Sequence, residues 1–550
     1  MKKICQALLL VPLLSLLAQA QWSTDPGNNL IVGYGLLPEI CWDGTGGVYV
    51  SFEIHTVYPR QVALQRLNRY GYLPWGEPQT LQGIFPETRY AKLTTDRHNG
   101  IIVAFDDDQM ISAFPPRYDT RVRAQRVDSA GTFLWGPAGV RVSTAERNQG
   151  TSGITADGYG GCFIAFADST GRMYVQKLDP GGGRMWGDSA IVVADSPSPY
   201  FYMIGDGQDG CILLLGGVAQ KINAAGQKVW GDTGVATAGM GILSVTSDGL
   251  HGVVMAGMKL ISYNNGDPYY AAKCQRIDSS GQIRWGDEGF VLADSLQNVV
   301  SNPPGITVET NEGGGATFAW QRRVRPGVLR SLTQRVLAEG VTIFPSGGIQ
   351  VSICDSGGNG TSSITTSNDE SKIYMLSDAR YSGSTFAQKM DSTGSRLWDS
   401  TDVLVSSRHL GDFESISDEA GGVVIVGFDQ SDFSIRAQQC SRNGRLGEIL
   451  ASVGENPGVG PTSQGFVLYQ NYPNPFNPTT SIRYELRSGD NAKIDVFDLL
   501  GHQIRVLVDA YQTAGVHKVV FGANGLASGL YFYRLSTSKG TQVRKLLILK

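Results

Sequence analysis

Residues 123–136 read RAQRVDSAGTFLWG, and closely similar segments recur along the chain. The later copies read VQKLDPGGGRMWG, AQKINAAGQKVWG, CQRIDSSGQIRWG and AQKMDSTGSRLWD. The glutamine of this element occurs eight times, at Gln65, Gln125, Gln176, Gln220, Gln275, Gln334, Gln388 and Gln438. A period of about fifty residues, built from short strands and turns, is typical of a β-propeller.

A second repeated element alternates with the first. It is a turn rich in Asp, Asn and Gly that precedes a short apolar strand, as in ADGYGGCFIAF from Ala156 and DEAGGVVIVGF from Asp418. This element also occurs eight times. Its strand is almost continuously apolar, which indicates burial on both faces. We therefore assign this strand as the innermost of each four-stranded blade.

The two repeats predict an all-β fold, an eight-bladed β-propeller with seven blades as the alternative. The last repeat ends one strand short, whereas residues 36–42 form an extra strand before the first repeated turn. Pairing 36–42 with the last blade would close the ring and leave no long free edge. We predict a propeller at 21–452, a linker at 453–464 and a small Ig-like β-sandwich at 465–550.

The Asp and Gly of the opening segment lie between two strands, where they are typical turn residues. The spacing D-x-x-G-x-x-x-W resembles the Asp box of sialidase-type propellers, but it does not match the D-x-G-x-x-W core of that box. We interpret the segment as a structural turn rather than a catalytic signature. The tryptophans at one repeat position are predicted to pack between blades, namely Trp135, Trp186, Trp230, Trp285 and Trp398.

In an up-and-down blade, both repeated turns lie on one face and the variable connections on the other. The variable loops are predicted at 106–119, 261–270, 320–327 and 377–383. Binding residues usually lie in such loops on a rigid scaffold. The candidate ligand-binding residues are Asp106, Asp107, Asp108, Arg117, Tyr118, Tyr263, Tyr269, Tyr270, Trp320, Arg322, Arg323, Arg380 and Tyr381. Arginine beside exposed aromatic rings suits a carbohydrate or a peptide ligand.

No nucleophile-elbow, HExxH or P-loop motif is present, and no catalytic residue or cofactor is predicted. The run 106–108 could bind calcium, but it lacks the D-x-D-x-D-G spacing of a dedicated loop. Catalytic carboxylates can come from distant blades. A non-enzymatic binding protein is therefore the preferred interpretation, with a polysaccharide-acting hydrolase or lyase, or a structural surface-layer component, as alternatives.

The N-terminus has the order of a secretory signal. Lys2 and Lys3 precede an apolar run at 7–17 and the small residues 18–20, which predicts cleavage after Ala20. No other stretch is long enough to span a bilayer. The net charge of −4 gives no reason to expect nucleic-acid binding. Six scattered cysteines remain, interpreted as buried thiols without a zinc site, at Cys41, Cys162, Cys211, Cys274, Cys354 and Cys440.

The C-terminal segment contains YPNPFNPTTSIRYEL from Tyr472, FDLLGHQIRVLV from Phe497, LASGLYFYRL from Leu526 and RKLLILK from Arg544. In this order, the motifs resemble the type A C-terminal sorting domain of the type IX secretion system, which is related to the Ig-like fold of a flagellar hook-capping protein. The residues that carry the resemblance are Tyr472, Pro473, Asn474, Pro475, Phe476, Asn477, Pro478, Gly501, Gly529, Tyr531, Lys545 and Lys550.

The resemblance implies a Bacteroidetes-type cell envelope and transport through the periplasm to the outer cell surface or the medium. It also implies two partners, the type IX translocon and a sortase-like peptidase that removes the sorting domain. The ligand of the predicted propeller, a carbohydrate or a protein, stays open. We expect the exported protein to be a monomer.

Overall fold

The structure is a computed structural model. It describes residues 22–548 except 56–57, 114–115, 146–147, 196–200, 265–266, 298–304, 326–327, 353–358, 368, 379–382, 399–400, 449–465, 469–470, 472–478, 487, 499–501, 524 and 528. The described residues belong to two compact units, one within Gln19–Leu450 and one within Ala451–Lys550. The fold is all-β, with one short 3-10 turn at Glu312–Gly314.

Strand β1 (Leu30–Tyr34) is followed by sheets of four consecutive strands. Sheet 1 contains β2 (Leu36–Trp42), β3 (Val48–Ile54), β4 (Gln61–Leu67) and β5 (Gln79–Thr80). Sheet 2 contains β6 (Glu87–Thr95), β7 (Ile101–Ala113), β8 (Pro116–Val127) and β9 (Val140–Arg141). Sheet 3 contains β10 (Gln149–Ala156), β11 (Cys162–Asp168), β12 (Met173–Leu178) and β13 (Ile191–Ala194). Sheet 4 contains β14 (Phe201–Gly205), β15 (Cys211–Leu215), β16 (Val218–Ile222) and β17 (Val235–Ala236).

Sheet 5 contains β18 (Gly241–Ser247), β19 (Val253–Asn264), β20 (Asp267–Ile277) and β21 (Phe290–Gln297). Sheet 6 contains β22 (Ile306–Thr310), β23 (Ala316–Arg325), β24 (Val328–Val336) and β25 (Ile349–Gln350). Sheet 7 contains β26 (Asn359–Thr366), β27 (Lys372–Asp378), β28 (Thr385–Met390) and β29 (Val403–Ser406). Sheet 8 combines β30 (Leu410–Ser417), β31 (Val423–Asp429) and β32 (Ser434–Cys440) with β1.

The first strands of successive sheets contact one another in a closed cycle. Strand β2 contacts β6, and the contacts continue through β10, β14, β18, β22, β26 and β30 back to β2. The innermost strand is thus the one before the Asp/Gly turn, and its assignment to the apolar strand after that turn was wrong. The apolar strand lies second, between two sheet partners and two neighbouring sheets, which explains its uninterrupted burial.

The closing strand also differs from the predicted one. Residues 36–42 form β2 and pair with β3 in sheet 1. Strand β1 instead pairs with β32, with Leu30 opposite Ala437 and Tyr34 opposite Ser434. The missing strand of the last sheet is therefore supplied by the N-terminal part of the chain, one strand earlier than expected.

The repeated tryptophans bridge adjacent sheets, as predicted. Trp135 Nε1 in sheet 2 donates a hydrogen bond to the Pro180 carbonyl in sheet 3 at 3.1 Å. The equivalent bonds run from Trp75 to Ser129, Trp186 to Ala224, Trp230 to Ser279, Trp285 to Ala338 and Trp398 to Arg442. Each ring also covers a turn glycine of the next sheet. A Cβ built on Gly182 would lie 3.0 Å from the Trp135 ring, where no side chain fits.

The repeated glutamine holds the backbone at each of these tryptophans. Gln125 Oε1 accepts the Trp135 N–H at 3.0 Å, and Gln125 Nε2 donates to the Gly136 carbonyl at 2.5 Å. The same pair of bonds recurs at Gln176, Gln220 and Gln275. In these four sheets, the repeated glutamine of the sequence is thus the side chain that fixes the turn from which the tryptophan reaches its neighbour.

Trp22 occupies the same position for sheet 8. It precedes β1, its Nε1 donates to the Arg69 carbonyl in sheet 1 at 2.9 Å, and its ring covers Gly71 at 2.9 Å from a built Cβ. Only 4% of Trp22 is exposed. The inter-sheet bond that would otherwise be missing between the last and first sheets is therefore made by the N-terminal segment.

The second unit is a two-sheet sandwich. One sheet has the order β33 (Phe466–Leu468), β34 (Thr479–Leu486), β37 (Gly515–Gly522). The other has the order β36 (Gln503–Gln512), β35 (Asp490–Phe497), β38 (Gly529–Thr537), β39 (Gly540–Ile548). Both sheets contribute to one buried core that includes Ile482, Tyr484, Ile494, Tyr533 and Leu546.

We refer to the eight sheets in this closed cycle as the sheet ring. We expect Trp22→Ala to lower its free energy of unfolding by about 3–5 kcal/mol, because the substitution removes a buried indole and its inter-sheet hydrogen bond. Urea denaturation followed by tryptophan fluorescence measures the change. Leu134→Ala is the matched control, since Leu134 is 46% exposed beside Trp135 and should change stability by about 0.5 kcal/mol at most. Equal effects of both substitutions would contradict a closing role for Trp22.

Candidate functional site

The end of the sheets that carries the repeated turns is occupied by internal contacts. Asp43 accepts the Gly47 N–H through Oδ1 and forms an ion pair with Arg66 at 3.0 Å through Oδ2. Equivalent pairs join Arg126 to Asp96 at 2.9 Å, Lys221 to Asp206 at 3.1 Å and Arg276 to Asp248 at 3.0 Å. These aspartates are buried. The turn residues hold the backbone, which agrees with a structural rather than a catalytic motif.

At the opposite end, three hairpins extend as long antiparallel ladders, each with one shift in register near its tip. Pairing of β7 with β8 continues to Ala113 opposite Pro116, that of β19 with β20 to Asn264 opposite Asp267, and that of β23 with β24 to Arg325 opposite Val328. The assignment of 106–119, 261–270 and 320–327 as loops was therefore wrong, because backbone pairing continues through these polar segments. In the fourth segment, residues 379–382 lie outside the described part of the chain.

The predicted binding residues occupy different environments. Asp106, Asp107, Asp108 and Trp320 are buried, Tyr118 and Tyr270 are partly buried, and Arg117, Tyr263 and Arg322 are exposed. The side chains of Tyr269 and Arg323, and all of Arg380 and Tyr381, lie outside the described residues. The structure brings Asp106, Asp107, Asp108 and Tyr118 together in sheet 2. The other described residues lie elsewhere, with Tyr263 and Tyr270 in sheet 5 and Trp320 and Arg322 in sheet 6.

The three aspartates of β7 accept hydrogen bonds from neighbouring segments. Asp106 Oδ1 accepts the Thr151 N–H of sheet 3 at 2.7 Å, and Asp107 accepts the N–H groups of Ile84 and Phe85 at 3.0 and 2.9 Å. Burial raises the pKa of Asp106 to about 7 and also raises the pKa of Asp107. The carboxylates therefore stabilise the connections at this end of sheets 2 and 3.

A guanidinium group links Asp108 to two tyrosines. Arg89 Nε donates to Asp108 Oδ2 at 2.5 Å, and its guanidinium carbon lies 4.1 Å from the Tyr118 ring centre and 5.1 Å from that of Tyr90. The Glu87 carboxylate lies 3.7 Å from Arg89 and is 2% exposed, and burial raises its pKa. Glu87, Arg89 and Tyr90 were not predicted, because they lie on inner strand β6 rather than in a variable segment.

Sheets 8, 1 and 2 share a local irregularity in their inner strands. Leu37, Tyr90 and Asp412 have positive φ angles of 54°, 51° and 42°, each at a shift in strand register. Two residues further on, Glu39, Lys92 and Glu414 occupy one register position. Lys92 forms an ion pair with Glu39, and Glu414 accepts the Ile40 N–H at 2.8 Å. Burial, followed by the Glu39 charge, raises the pKa of Glu414 to about 7.

An open cleft of about 410 Å³ lies at the hairpin of sheet 8. It is lined by Arg408, His409, Asp429, Gln430 and Ser431. Arg408 is bound to Asp429 at 3.0 Å, and a Cβ on Gly383 of the neighbouring sheet would overlap the His409 ring. The cleft thus adjoins the fourth predicted variable segment, 377–383.

The described residues contain no group of three or more His, Cys, Asp or Glu side chains placed to hold a metal ion. Their cysteines are free thiols, and Cys354 lies outside the described part. Burial raises the pKa of the thiols of Cys162 and Cys274 well above the usual value. Within the same residues, no helix has the length and apolar character needed to cross a bilayer.

In the sandwich, three of the predicted sorting residues lie in described strands. Tyr531 is buried in the core and donates to the Ala527 carbonyl at 3.2 Å, Gly529 begins β38 opposite Ile548, and Lys545 is exposed on β39 opposite Phe532. The others, Tyr472, Pro473, Asn474, Pro475, Phe476, Asn477, Pro478, Gly501 and Lys550, lie outside the described residues.

Comparison with known proteins identifies the C-terminal unit. Residues 470–549 match the secretion system C-terminal sorting domain. This tail implies that the chain is exported to the cell surface or the cell exterior. A comparison with curated protein sequences gives no match.

Several solved structures are similar to the chain at low scores. One is a protein of unknown function from Dyadobacter fermentans, which is 8% identical to this chain and has a TM-score of 0.34. The match covers 75% of this chain and 95% of that protein, and coverages are given in the same order below. A PL25 ulvan lyase has 10% identity, 78% and 98% coverage and a TM-score of 0.41. PorZ, a surface component of the type IX secretion system of Porphyromonas gingivalis, has 9% identity, 96% and 100% coverage and a TM-score of 0.19. With TM-scores below 0.5, these similarities carry no argument about function.

We expect Asp106→Asn to stabilise the protein relative to the parent more at pH 8 than at pH 5. The folded-state pKa of Asp106 is raised to about 7, so the parent loses stability as the pH rises from the unfolded value of about 4 towards 7. The amide keeps an acceptor for Thr151 and does not ionise. The gain between the two pH values should be about 2–3 kcal/mol by urea denaturation.

Asp278→Asn is the control for this measurement. Burial acts to raise the pKa of Asp278, but hydrogen bonds from Ser280, Gln282 and Arg284 outweigh it and lower the pKa to about 2. Asp278 is therefore ionised at both pH values, and the effect of its substitution should be the same at pH 5 and pH 8. A pH-independent effect of Asp106→Asn would show that Asp106 is not held at a raised pKa.

Proposed function

We propose that the exported chain is an eight-bladed β-propeller that binds an extracellular ligand at the end of its sheets that carries the long hairpins. The observation that carries the binding part is the difference between the two ends. At the turn end, Asp, Gln and Trp side chains are used for internal contacts that recur from sheet to sheet. At the hairpin end, the hairpins differ in length and carry exposed side chains, which is how scaffolds usually present binding residues.

Three observations support the eight-bladed propeller. The inner strands contact one another in a closed cycle, each sheet is an antiparallel meander, and β1 fills the outer position of sheet 8. Closure of the last blade by an N-terminal strand removes the free edge that an incomplete sheet would leave. An Ig-like relationship of the C-terminal sandwich is part of the same proposal and is supported by its two packed antiparallel sheets.

We further propose that delivery uses the type IX secretion system. Support comes from the match at residues 470–549 together with the signal-like order of residues 1–20, which lie outside the described part. The proposed partners are the translocon and a sortase-like peptidase that removes the tail. The proposed domain limits are 21–452, 453–464 and 465–550.

A second candidate function is a polysaccharide-acting hydrolase or lyase. The observation that favours it is the open cleft of sheet 8, where the His409 imidazole adjoins the Arg408–Asp429 pair. An imidazole in an open cleft is a suitable general base. If this activity exists, His409→Ala should abolish polysaccharide cleavage while leaving the thermal unfolding midpoint unchanged.

Removal of residues 465–550 should prevent surface delivery. We expect the truncated chain to accumulate in the periplasm, because the sorting domain is the element that the outer-membrane step requires. Cell fractionation and protease accessibility on intact cells measure the location. The matched control carries Tyr511→Ala on an intact tail, at a 67% exposed residue. Normal surface display of the truncated chain would contradict the export proposal.

Shortening the long hairpins tests the binding end. In three variants, Asn-Gly joins Gln109 to Asp119, Leu260 to Tyr270, or Arg322 to Arg330, each a pair that faces across its ladder. We expect at least one variant to lose binding to a ligand found by screening polysaccharides and peptides. Tyr159→Ala, at a 66% exposed tyrosine in a repeated turn, should bind normally. Unchanged binding by all three hairpin variants would overturn the assignment of this end.

A further inference from the structure

Two tyrosines at the junction of sheets 1 and 2 present aromatic rings to solvent. Tyr58, between β3 and β4, is 68% exposed, and Tyr90, on β6, is 48% exposed. Large aromatic side chains are normally kept at least partly buried, and exposed ones at one place mark a binding surface when polar groups lie beside them. Here a polar group lies beside Tyr90, because the His55 side chain, 28% exposed, binds the same Glu53 carboxylate as the Tyr90 N–H.

The two rings belong to one connected group of side chains. The Tyr58 hydroxyl donates to Met110 Sδ at 3.4 Å, which joins the hairpin of sheet 1 to that of sheet 2. Met110 lies directly opposite Tyr118 across the β7–β8 ladder. The Tyr118 ring is stacked on the Arg89 guanidinium, which also lies beside the Tyr90 ring. Tyr58 and Tyr90 are thus connected across the two sheets through Met110, Tyr118 and Arg89.

The backbone of Tyr90 is fixed in a conformation that aromatic residues rarely adopt. Its φ of 51° lies in the left-handed region, and its N–H donates to Glu53 Oε1 at 2.7 Å. The other oxygen of Glu53 contacts His55 Nε2 at 2.9 Å, and Glu53 itself is buried. Backbone strain of this kind persists where the surroundings over-determine it, and Leu37 and Asp412 share it at the equivalent positions of sheets 1 and 8. One buried carboxylate therefore sets the position of both Tyr90 and His55.

An extended peptide has no strand edge to pair with beside Tyr118. The Thr120 N–H donates to Asn148 Oδ1 at 2.6 Å, and Asn148 Nδ2 donates to the Tyr118 carbonyl at 2.6 Å. The Asn148 amide therefore makes the two hydrogen bonds that an added strand would make. This contact argues against β-strand addition, the mode by which exposed sheet edges bind peptides.

We propose that Tyr58, Tyr90 and His55 form a carbohydrate-binding subsite across sheets 1 and 2. This inference rests on the proposed binding function of the hairpin end and names its ligand class. A pyranose ring offers an apolar C–H face to an aromatic ring and hydroxyl groups around its edge. Tyr58 and Tyr90 supply two such rings on a rigid support, and the His55 imidazole supplies a hydrogen-bonding group.

Affinity electrophoresis of the full-length exported protein tests the subsite, with soluble β-glucan, xylan, mannan and polygalacturonate as probes and a peptide library alongside. We expect at least one polysaccharide to bind. Tyr58→Ala and Tyr90→Asn should each weaken that binding roughly five- to tenfold, the loss of one stacked ring. Asparagine is chosen at 90 because it tolerates positive φ.

Two matched variants separate stacking from general damage. Tyr58→Phe keeps the ring and should bind within about twofold of the parent. Tyr159→Ala removes a similarly exposed tyrosine, 66% exposed, in a repeated turn at the other end of the sheets and should bind normally. Equal thermal unfolding midpoints for all variants confirm that folding is intact.

The outcomes distinguish this inference from the function on which it rests. Polysaccharide binding that survives both Tyr58→Ala and Tyr90→Asn, or that falls equally with Tyr159→Ala, overturns the subsite. Binding of a peptide that is lost on hairpin shortening overturns the carbohydrate inference and leaves the binding function of the hairpin end standing. Binding of neither class overturns both.

Discussion

The contact on which the sheet ring depends is a tryptophan that covers a glycine of the next sheet and donates a hydrogen bond to a carbonyl beside it. The contact needs a residue without a Cβ, because any side chain on the turn would occupy the space of the indole ring. It also needs a fixed indole, which the glutamine provides by binding the backbone on both sides of the ring. Seven of the sheets are therefore joined to the next by buried apolar area and a satisfied donor together, whereas in sheet 6 Phe344 covers Gly394 without a donor.

This arrangement explains why the two ends of the sheets differ. The turns at one end carry the contacts between sheets, so their length and residue types are constrained by the neighbour. The contacts between sheets at the other end do not recur in one pattern, and the hairpin ladders there extend by different lengths in sheets 2, 5 and 6. Freedom to vary and exposure to solvent therefore occur at the same end, where a binding surface can change without disturbing the ring.

The repeat could be predicted from the sequence because Gln, Gly and Trp recur at fixed spacing. The order of strands within a sheet could not, since the inner strands are half-buried and polar, as in Gln149–Ala156, and have no strong periodicity. Trp22 was not recognised as a member of the repeat because it is separated from its turn in the sequence. The turn of sheet 8 lies at residues 441–444, whereas Trp22 precedes the first strand. Asp106 and Tyr118 were placed in a loop because polar composition says nothing about whether backbone pairing continues.

Closure of the last sheet by β1 has a consequence for folding. Leu30 pairs with Ala437, so the final strand pairing joins segments separated by almost the whole length of the ring. Compared with a contact across one repeat of about fifty residues, bringing such distant segments together costs about 2 kcal/mol more in chain entropy. The ring cannot close until its eighth sheet has been synthesised, so β1, which is made first, has no partner strand in an incomplete chain. The first strand of the ring therefore waits for the last, and its pairing becomes possible only once almost the whole unit has been made.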